Sequence, residues 1–235
     1  MFAGQSNALG FGMDASTLPA NYWRGDPRTF IWNNETGGFE VMTPGVNTGT
    51  LKNPGAWGPE VAFAATFRQD HPDEALFIVK SAKGSTGLAA DPNRLDWSPQ
   101  SEGEMFDLTT QRVADARAAL GGMEVDGVFF VQGEQDAFDE DAAQAYGDNL
   151  QAWIAAVRDE WIADEDGKVA FARINDSTPW FETVRWAQYV TDAEDPFAAS
   201  FDTYDDMMQA DGLHYAAEGH LAIGGQFYSL YDGWV

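Results

Sequence analysis

Short apolar segments alternate with amphipathic helical patterns from one end of this chain to the other, and this alternation limits the folds open to it. Three of the apolar segments lack regular polar alternation, which is typical of strands covered on both faces. The strand candidates are residues 29–32, 75–80, 125–131 and 168–174, with a short first strand at residues 2–3. Strands that alternate with helices predict a mostly parallel sheet between two helix layers.

The helical patterns between these strands carry single apolar stripes. Pro59 opens one of them, at a position where its missing N–H costs nothing. The longest pattern covers residues 140–161, and a last helix is predicted at about residues 216–231. Apolar residues step by three or four along the longest pattern: Ala143, Tyr146, Leu150, Trp153, Val157 and Trp161. Neither a linker-like stretch nor a repeat interrupts the series, so the sequence predicts one α/β domain over residues 1–235.

The chain is strongly acidic, and this charge narrows the partners it can have. It has 38 Asp and Glu residues against 13 Lys and Arg residues, which gives a formal net charge of −25. Such a surface repels phosphate polymers and anionic lipids, so we expect no nucleic acid partner and no membrane binding. The excess of carboxylates fits a halophilic or marine protein, because salt screens self-repulsion. An ordinary acidic enzyme is the alternative.

Several features that would direct the chain to other classes are missing from the sequence. It has no cysteine, which excludes disulfides and Cys-ligated metals. No run approaches 18 apolar residues, so no transmembrane helix is predicted. The N-terminus lacks the basic start and apolar core of a signal peptide, so secretion is expected only if a signal has been trimmed. The localisation and the oligomeric state are therefore left open.

A serine follows the first strand in the sequence Gly4-Gln5-Ser6-Asn7. A serine on a tight turn between a strand and a helix has an exposed hydroxyl and a backbone N–H that points outward. This arrangement supplies a nucleophile and an oxyanion donor together. The alternative is structural, because a serine in a glycine-rich turn is most often a helix N-cap.

Histidine is rare in this chain, and one of its three histidines follows an aspartate at short range, in Asp211-Gly212-Leu213-His214. A carboxylate three residues before a histidine can accept its Nδ1–H, which leaves Nε2 free as a base. An incidental histidine in a surface loop is the alternative. His71, in a polar turn, and His220, in the last helix, are interpreted as structural.

Two further polar segments follow predicted strands. Gln132-Gly133-Glu134-Gln135-Asp136 comes after a very apolar strand, and its acid and amide groups suit either a site at the sheet edge or a solvated loop. The segment 81–87 follows the strand that ends at Lys80. It lacks the residue order of a nucleotide-binding loop, but a glycine there can present a backbone N–H to an anion.

The order of these motifs resembles the SGNH hydrolases. Within that superfamily the closer resemblance is to the sialate O-acetylesterase and acetylxylan esterase branch, carbohydrate esterase family six. The resemblance spans nearly the whole chain. It is carried by Gly-Gln-Ser-Asn at residues 4–7, Gly-Pro-Glu at 58–60, Gly84, Gln-Gly-Glu-x-Asp at 132–136, and Asp211-x-x-His214.

The resemblance implies a three-layer αβα sandwich of the flavodoxin-like SGNH type and a serine esterase that removes O-acetyl groups from a carbohydrate. Ser6 is then the nucleophile, His214 the base, and the backbone N–H groups of Ser6 and Gly84 form the oxyanion hole. The Asn of the wider superfamily is absent, so Gln132 is predicted to give the third hydrogen bond, with Gln135 a weaker candidate. For the triad acid, Asp211 is predicted to be the main carboxylate and Glu134 a supporting one.

Three other functions compete with this one. The first is a lipid or thioester hydrolase of the same superfamily, and the second is a non-catalytic carbohydrate-binding module. The third is a divalent-metal protein built on a carboxylate tract that lacks the regular spacing of a calcium loop: Asp202, Asp205, Asp206, Asp211 and His214. The leading hypothesis needs no metal or cofactor, and its partner is an acetylated saccharide.

Overall fold

Parallel strands form the centre of the molecule in a computed structural model that describes residues 1–50, 53–203 and 207–234. The described strands are β1 (Phe2–Gly4), β2 (Thr29–Asn33), β3 (Gly38–Val41), β4 (Leu76–Ile78), β5 (Lys80–Ala82), β6 (Val128–Val131), β7 (Val169–Arg173) and β8 (Ala198–Asp202). The main sheet has the order β5-β1-β6-β7-β8, and every neighbouring pair in it is parallel. The sequence prediction of a parallel central sheet is confirmed.

Helices cover both faces of this sheet. They are α1 (Ser6–Leu9), α2 (Glu60–Asp70), α3 (Met105–Ala119), α4 (Glu140–Val157), α5 (Phe181–Glu194) and α6 (Ala217–Asp232), and a π-helical turn, Arg158–Ile162, continues α4. The predicted helix at 140–161 therefore divides at its end into an α-helix and a π-turn. Every residue of its predicted apolar stripe is buried.

Successive residues of β6 point to opposite faces of the sheet and pack into two separate hydrophobic cores. Phe130 packs with its ring centroid 3.9 Å from that of Trp153, in the core shared with α3, α4 and α5. Phe129 points to the other face, where its centroid lies 4.8 Å from that of Phe63 in the core shared with α2 and α6. Side chains alternate across a strand, so one apolar run fills two cores. The molecule is the predicted three-layer αβα sandwich.

Two strand predictions need correction in their placement. The segment at 29–32 does form a strand, but β2 belongs to a separate three-stranded sheet of order β3-β2-β4. The predicted strand at 75–80 divides at Val79, so β4 pairs with β2 while β5 pairs with β1. The Val79 carbonyl accepts the Phe2 N–H at 2.9 Å, which joins the two parts at the sheet edge. Strands β3 and β8 and helices α3 and α5 were not predicted from the sequence.

The central position of β1 brings several of the sequence motifs to the same edge of the sheet. β1 lies between β5 and β6, and the carboxyl ends of these three strands carry three of the four motifs that the sequence singled out. Ligands of open α/β sheets bind beyond the carboxyl ends of the strands.

Within the described ranges, no helix is both long and apolar enough to cross a membrane.

Candidate active site

Ser6 is presented by a sharp turn at the end of β1. Gly4 has φ +139°, and a Cβ on it would lie 2.1 Å from the Val131 carbonyl oxygen, so a side chain is excluded there. The Gln5 N–H donates to the same carbonyl at 3.0 Å, and Ser6 then begins the four-residue helix α1. Ser6 is therefore the first helical residue and not the N-cap, which is Gln5.

The Ser6 hydroxyl faces His214, which in turn contacts Asp211. Ser6 Oγ lies 3.1 Å from His214 Nε2, and His214 Nδ1 lies 2.7 Å from Asp211 Oδ2. The second oxygen of Asp211 accepts the backbone N–H groups of Leu213 and His214, each at 3.0 Å. With an ionised Asp211, Nδ1 carries the proton and Nε2 is free to accept one from Ser6. The structure thus brings together three residues that the sequence predicted to act together.

Asp211 is held in its ionised form by these contacts. Its side chain is 45% exposed. Burial acts to raise the pKa of its carboxyl, but the hydrogen bonds from the His214 imidazole and from the two backbone N–H groups outweigh it and lower the pKa to about 2. A permanent negative charge beside Nδ1 favours the imidazolium that forms when Nε2 takes up a proton.

Glu134 reaches the histidine segment through Asn7. The Asn7 amide donates to Glu134 Oε1 at 2.5 Å and to the Leu213 carbonyl at 3.2 Å, and its oxygen accepts the Tyr215 N–H at 3.2 Å. Asn7 therefore binds the backbone on both sides of His214. In the described part of the chain, no hydrogen bond joins Glu134 to the imidazole. Asn7 lies in the Gly-Gln-Ser-Asn motif, but no role for it was predicted from the sequence.

The Glu134 carboxyl is buried, and only one of its oxygens accepts a side-chain hydrogen bond. It is 1% exposed, and its Oε2 atom has no hydrogen-bond partner among the described residues. Burial raises the pKa of this carboxyl, while the hydrogen bond from Asn7 and the nearby His214 act to lower it. Such a group is sensitive to the charge of its neighbours, because little water screens it.

Gln132 lies in a buried polar network that joins the loops after β1, β5 and β6. Its Nε2 group donates to Asp136 Oδ2 at 2.6 Å, to the Thr86 carbonyl at 3.1 Å and to Gln5 Oε1 at 3.3 Å. Gln135 enters the same network only by its backbone N–H, which donates to Gln5 Oε1 at 3.2 Å. The side chain of Gln132 thus fixes the relative positions of the loops around Ser6.

Gly84, predicted from the sequence as an oxyanion donor, lies beside Ser6. A Cβ placed on Gly84 would be 3.6 Å from Ser6 Cβ. Asp136 holds the loop that follows, because its carboxylate accepts the N–H groups of Leu88 and Ala89 at 2.9 Å. Ser85, next to Gly84, has φ +60°, a conformation that non-glycine residues seldom adopt. Strain of this kind is concentrated at functional sites.

A buried ion pair supports α1, the short helix that begins at Ser6. Lys80 Nζ donates to the Leu9 carbonyl at the end of α1 (3.0 Å), to the Thr48 carbonyl (2.9 Å) and to Glu60 Oε1 (2.8 Å). The side chains of Lys80 and Glu60 are both buried. A helix of one turn has little stability of its own, so its position depends on such tertiary contacts.

The other two histidines do not join the site. His71 ends α2 and its Nδ1 atom lies 3.0 Å from Glu74 Oε1. His220 is fully buried in α6, and burial lowers the pKa of its imidazole to about 3, so it is neutral. These contacts fit the interpretation of His71 and His220 as structural residues.

The carboxylate tract that was considered as a metal site forms other contacts in its described residues. Asp202 forms ion pairs with Arg173 and Arg185, and Asp211 binds His214. Asp205 and Asp206 lie outside the described residues. Within residues 1–50, 53–203 and 207–234, no group of three or more His, Asp or Glu side chains is arranged to hold a metal ion.

Solved structures share this fold over nearly the whole chain. A protein from Arabidopsis thaliana superposes with a TM-score of 0.80 at 20% identity, covering 99% of this chain and 97% of its own. A carbohydrate acetylesterase from Xanthomonas citri gives 0.66 at 16% identity, covering 97% of this chain and 54% of its own. A variant of Axe2, an acetyl xylan esterase from Geobacillus stearothermophilus, gives 0.52 at 11% identity, covering 98% of this chain and 92% of its own. These identities establish the fold alone.

Sequence comparison gives the family. No curated protein sequence matches this chain significantly. A family model described as carbohydrate esterase, sialic acid-specific acetylesterase, matches residues 1–232, which include every motif and site residue described above. The chain therefore belongs to the sialic acid-specific acetylesterase family of carbohydrate esterases, and it is a carboxylic-ester hydrolase.

Proposed function

We propose that the chain removes O-acetyl groups from a saccharide through an acyl-enzyme formed on Ser6, with His214 as general base and Asp211 as the orienting acid. The observation that carries this proposal is the pair of contacts that joins the three side chains, 3.1 Å from Ser6 Oγ to His214 Nε2 and 2.7 Å from His214 Nδ1 to Asp211 Oδ2. Family membership supports the carbohydrate acetyl ester as the substrate class.

The chemistry follows from these positions. His214 Nε2 accepts the Ser6 proton while Ser6 Oγ attacks the acetyl carbonyl carbon. The tetrahedral oxyanion is expected to accept hydrogen bonds from the backbone N–H groups of Ser6 and Gly84. When the intermediate collapses, His214 returns the proton to the departing sugar oxygen. A water molecule activated by the same Nε2 atom then hydrolyses the acyl-enzyme and releases acetate.

The Gln132 side chain has two roles in this proposal. Its side chain joins the loops that flank Ser6, and its Nε2 group is the candidate for a third oxyanion donor. The amide already shares its two N–H groups among three acceptors. We therefore assign the main stabilisation of the oxyanion to the two backbone donors, and a donation by Gln132 would require it to release one of its present acceptors.

Glu134 is proposed to act on His214 at a distance. Asn7 fixes the backbone on both sides of His214, and Glu134 fixes Asn7. When it is ionised, the buried carboxyl also places a negative charge near His214, which favours the imidazolium. This makes Asp211 the main acid and Glu134 a supporting one.

A substrate screen tests the proposal. Acetylated xylan, O-acetylated sialic acid and para-nitrophenyl esters of rising acyl length are offered to the enzyme and to the Ser6→Ala variant. We expect acetyl esters to be preferred, and the variant to lose about 10⁴-fold or more in kcat while it keeps its folded state. A preference for octanoyl esters would favour the lipid hydrolase, and full activity in the variant would remove Ser6 from the mechanism.

The non-catalytic binding module is the second candidate from a different class. It would bind acetylated sugar without turnover. The complete Ser6, His214 and Asp211 arrangement favours the enzyme, because a binding module has no need for a hydroxyl aligned with the Nε2 atom of a histidine.

A further inference from the structure

We propose that Phe11 determines the preference for sugar esters, by offering its exposed ring as the surface on which the sugar of the substrate stacks beside His214. This inference rests on the proposed function, since it concerns the group that leaves during ester cleavage. The Phe11 ring centroid lies 4.5 Å from that of the His214 imidazole, at an interplanar angle of 36°. Phe11 is nevertheless 46% exposed.

Phe11 lies where the leaving sugar is expected, and not where the acyl group is expected. In the proposed mechanism, His214 Nε2 must reach the sugar oxygen as the carbon–oxygen bond breaks, so the sugar lies on the histidine side of Ser6. The backbone N–H of Gly84 is the second proposed oxyanion donor. Because Gly84 lies beside Ser6, the acetyl oxygen is expected next to this N–H group. A ring in contact with the imidazole is therefore next to the sugar.

The ring is carried by a rigid piece of backbone. The Phe11 N–H donates to the Ser6 carbonyl at 3.0 Å, and the Phe11 carbonyl accepts Gln209 Nε2 at 2.7 Å. Gln209 also binds the Tyr215 carbonyl through Nε2 and the His214 carbonyl through its backbone N–H. One residue thus ties the turn that carries Phe11 to the segment that carries His214.

A turn of this shape depends on glycine. Gly10 has φ +85°, and a Cβ on it would lie 1.8 Å from the Trp57 carbonyl oxygen. Both positions before and after Phe11 are glycines with positive φ, so the chain folds tightly around the one aromatic residue between them. The aromatic ring is held beside His214 before any substrate arrives, which lowers the ordering cost of binding.

Aromatic faces suit this task chemically. A sugar ring presents C–H groups on its faces and hydroxyls at its edge, so it packs well on a flat aromatic ring that carries no hydrogen-bonding group of its own. The aliphatic part of a simple alkyl acetate is too small to use the same surface. The predicted signature is therefore a difference between substrates and not a uniform loss of rate.

The test compares Phe11→Leu and Phe11→Trp with the wild type on three acetyl esters: acetylated xylo-oligosaccharides, O-acetylated sialic acid and ethyl acetate. The leucine retains apolar contact with the imidazole but lacks a flat ring. We expect it to lose about tenfold in kcat/KM, mainly through KM, on the acetylated sugar that the wild type hydrolyses best. Its kcat/KM on ethyl acetate is expected to stay within about twofold, and the tryptophan variant is expected to retain the sugar preference.

The matched control is Trp186→Leu, which removes another exposed aromatic ring, on α5, where the residue is 65% exposed. We expect this change to leave both activities unaltered. Equal losses on sugar and ethyl esters in Phe11→Leu would overturn the proposal, because they would reduce Phe11 to a packing partner of His214. Unchanged sugar hydrolysis would overturn it too. A wild type inactive on all three esters would instead reject the proposed function, and this result is visible before any variant is compared.

Discussion

The Asp211 carboxylate binds His214 twice, with Oδ2 2.7 Å from Nδ1 and Oδ1 accepting the backbone N–H at 3.0 Å. Asp211 and His214 are thereby fixed to each other within one four-residue segment by local contacts alone. Ser6 has to be brought to this unit by the fold. Changes in the unit should therefore affect the chemistry more than the stability.

Asp211→Asn is expected to lower kcat by about 10⁴-fold, because an amide in place of the carboxylate favours the wrong imidazole tautomer. Glu134→Gln should be milder, since the carboxyl contacts Asn7 and not the ring. The double variant should lose less than the product of the two effects, because the groups act as a unit. Steady-state kinetics on an acetyl ester measure all three. A severe Glu134→Gln beside a mild Asp211→Asn would exchange the roles of the two acids.

Glu134→Gln is also expected to stabilise the protein near neutral pH. Burial raises the pKa of this carboxyl in the folded chain above its ordinary value of 4.5, so the folded state binds the proton more tightly. Its contribution to stability therefore falls as pH rises through the folded pKa. The glutamine accepts the same hydrogen bond without the charge. Urea unfolding should show a gain at pH 7 that shrinks as pH falls towards 4.5 and is absent below 4.5, and a gain independent of pH would contradict the assignment.

Lys80→Met should destabilise the fold by about 3–5 kcal/mol, because it leaves the Glu60 carboxylate buried without its partner. The matched variant Lys80→Met with Glu60→Leu removes both charges and should recover a large part of that loss. Urea unfolding of the two variants separates the cost of an unpaired charge from the worth of the ion pair. If the double change is as damaging as the single one, the contacts of Lys80 with Leu9 and Thr48 carry the stability instead.

Gln132→Ala is expected to cost about 10²-fold to 10³-fold in kcat, with a small change in KM. Gln135→Ala should be milder, because Gln135 contributes its backbone N–H to the network and this group survives the substitution. The comparison is made at equal folded fraction, checked by circular dichroism. A larger loss for Gln135→Ala would move the third oxyanion donor to that position.

The melting temperature should rise with salt. A formal net charge of −25 repels itself at low ionic strength, and the Debye length falls from about 30 Å at 0.01 M to about 3 Å at 1 M. Thermal unfolding in NaCl across this range, with sucrose as an uncharged control, tests the salt-adaptation hypothesis. A melting temperature that does not respond to NaCl would show that the carboxylates are spaced widely enough to need no screening.

What the sequence could and could not predict follows from the range of the interactions. The apolar run of β6 indicated a strand buried on both faces, and the spacing of Asp211 and His214 indicated a local hydrogen bond; both are properties of a few neighbouring residues. Asn7 and Glu134 lie 127 positions apart, and no spacing rule encodes their contact. The partly exposed pattern of β8 gave too weak a signal for a strand. The division at Val79 depends on which strand pairs with which, and this is decided by the whole sheet.

The 208 positions between Ser6 and His214 also order events during synthesis. A ribosome makes Ser6 long before it makes His214. A nascent polypeptide therefore carries Ser6 without His214 while the intervening residues are added, and β1 needs both β5 and β6 before it can take its central place in the sheet. On the proposed mechanism, translation that stops before residue 214, or proteolysis that removes this region, leaves a folded or partly folded product that contains Ser6 but has no hydrolytic activity.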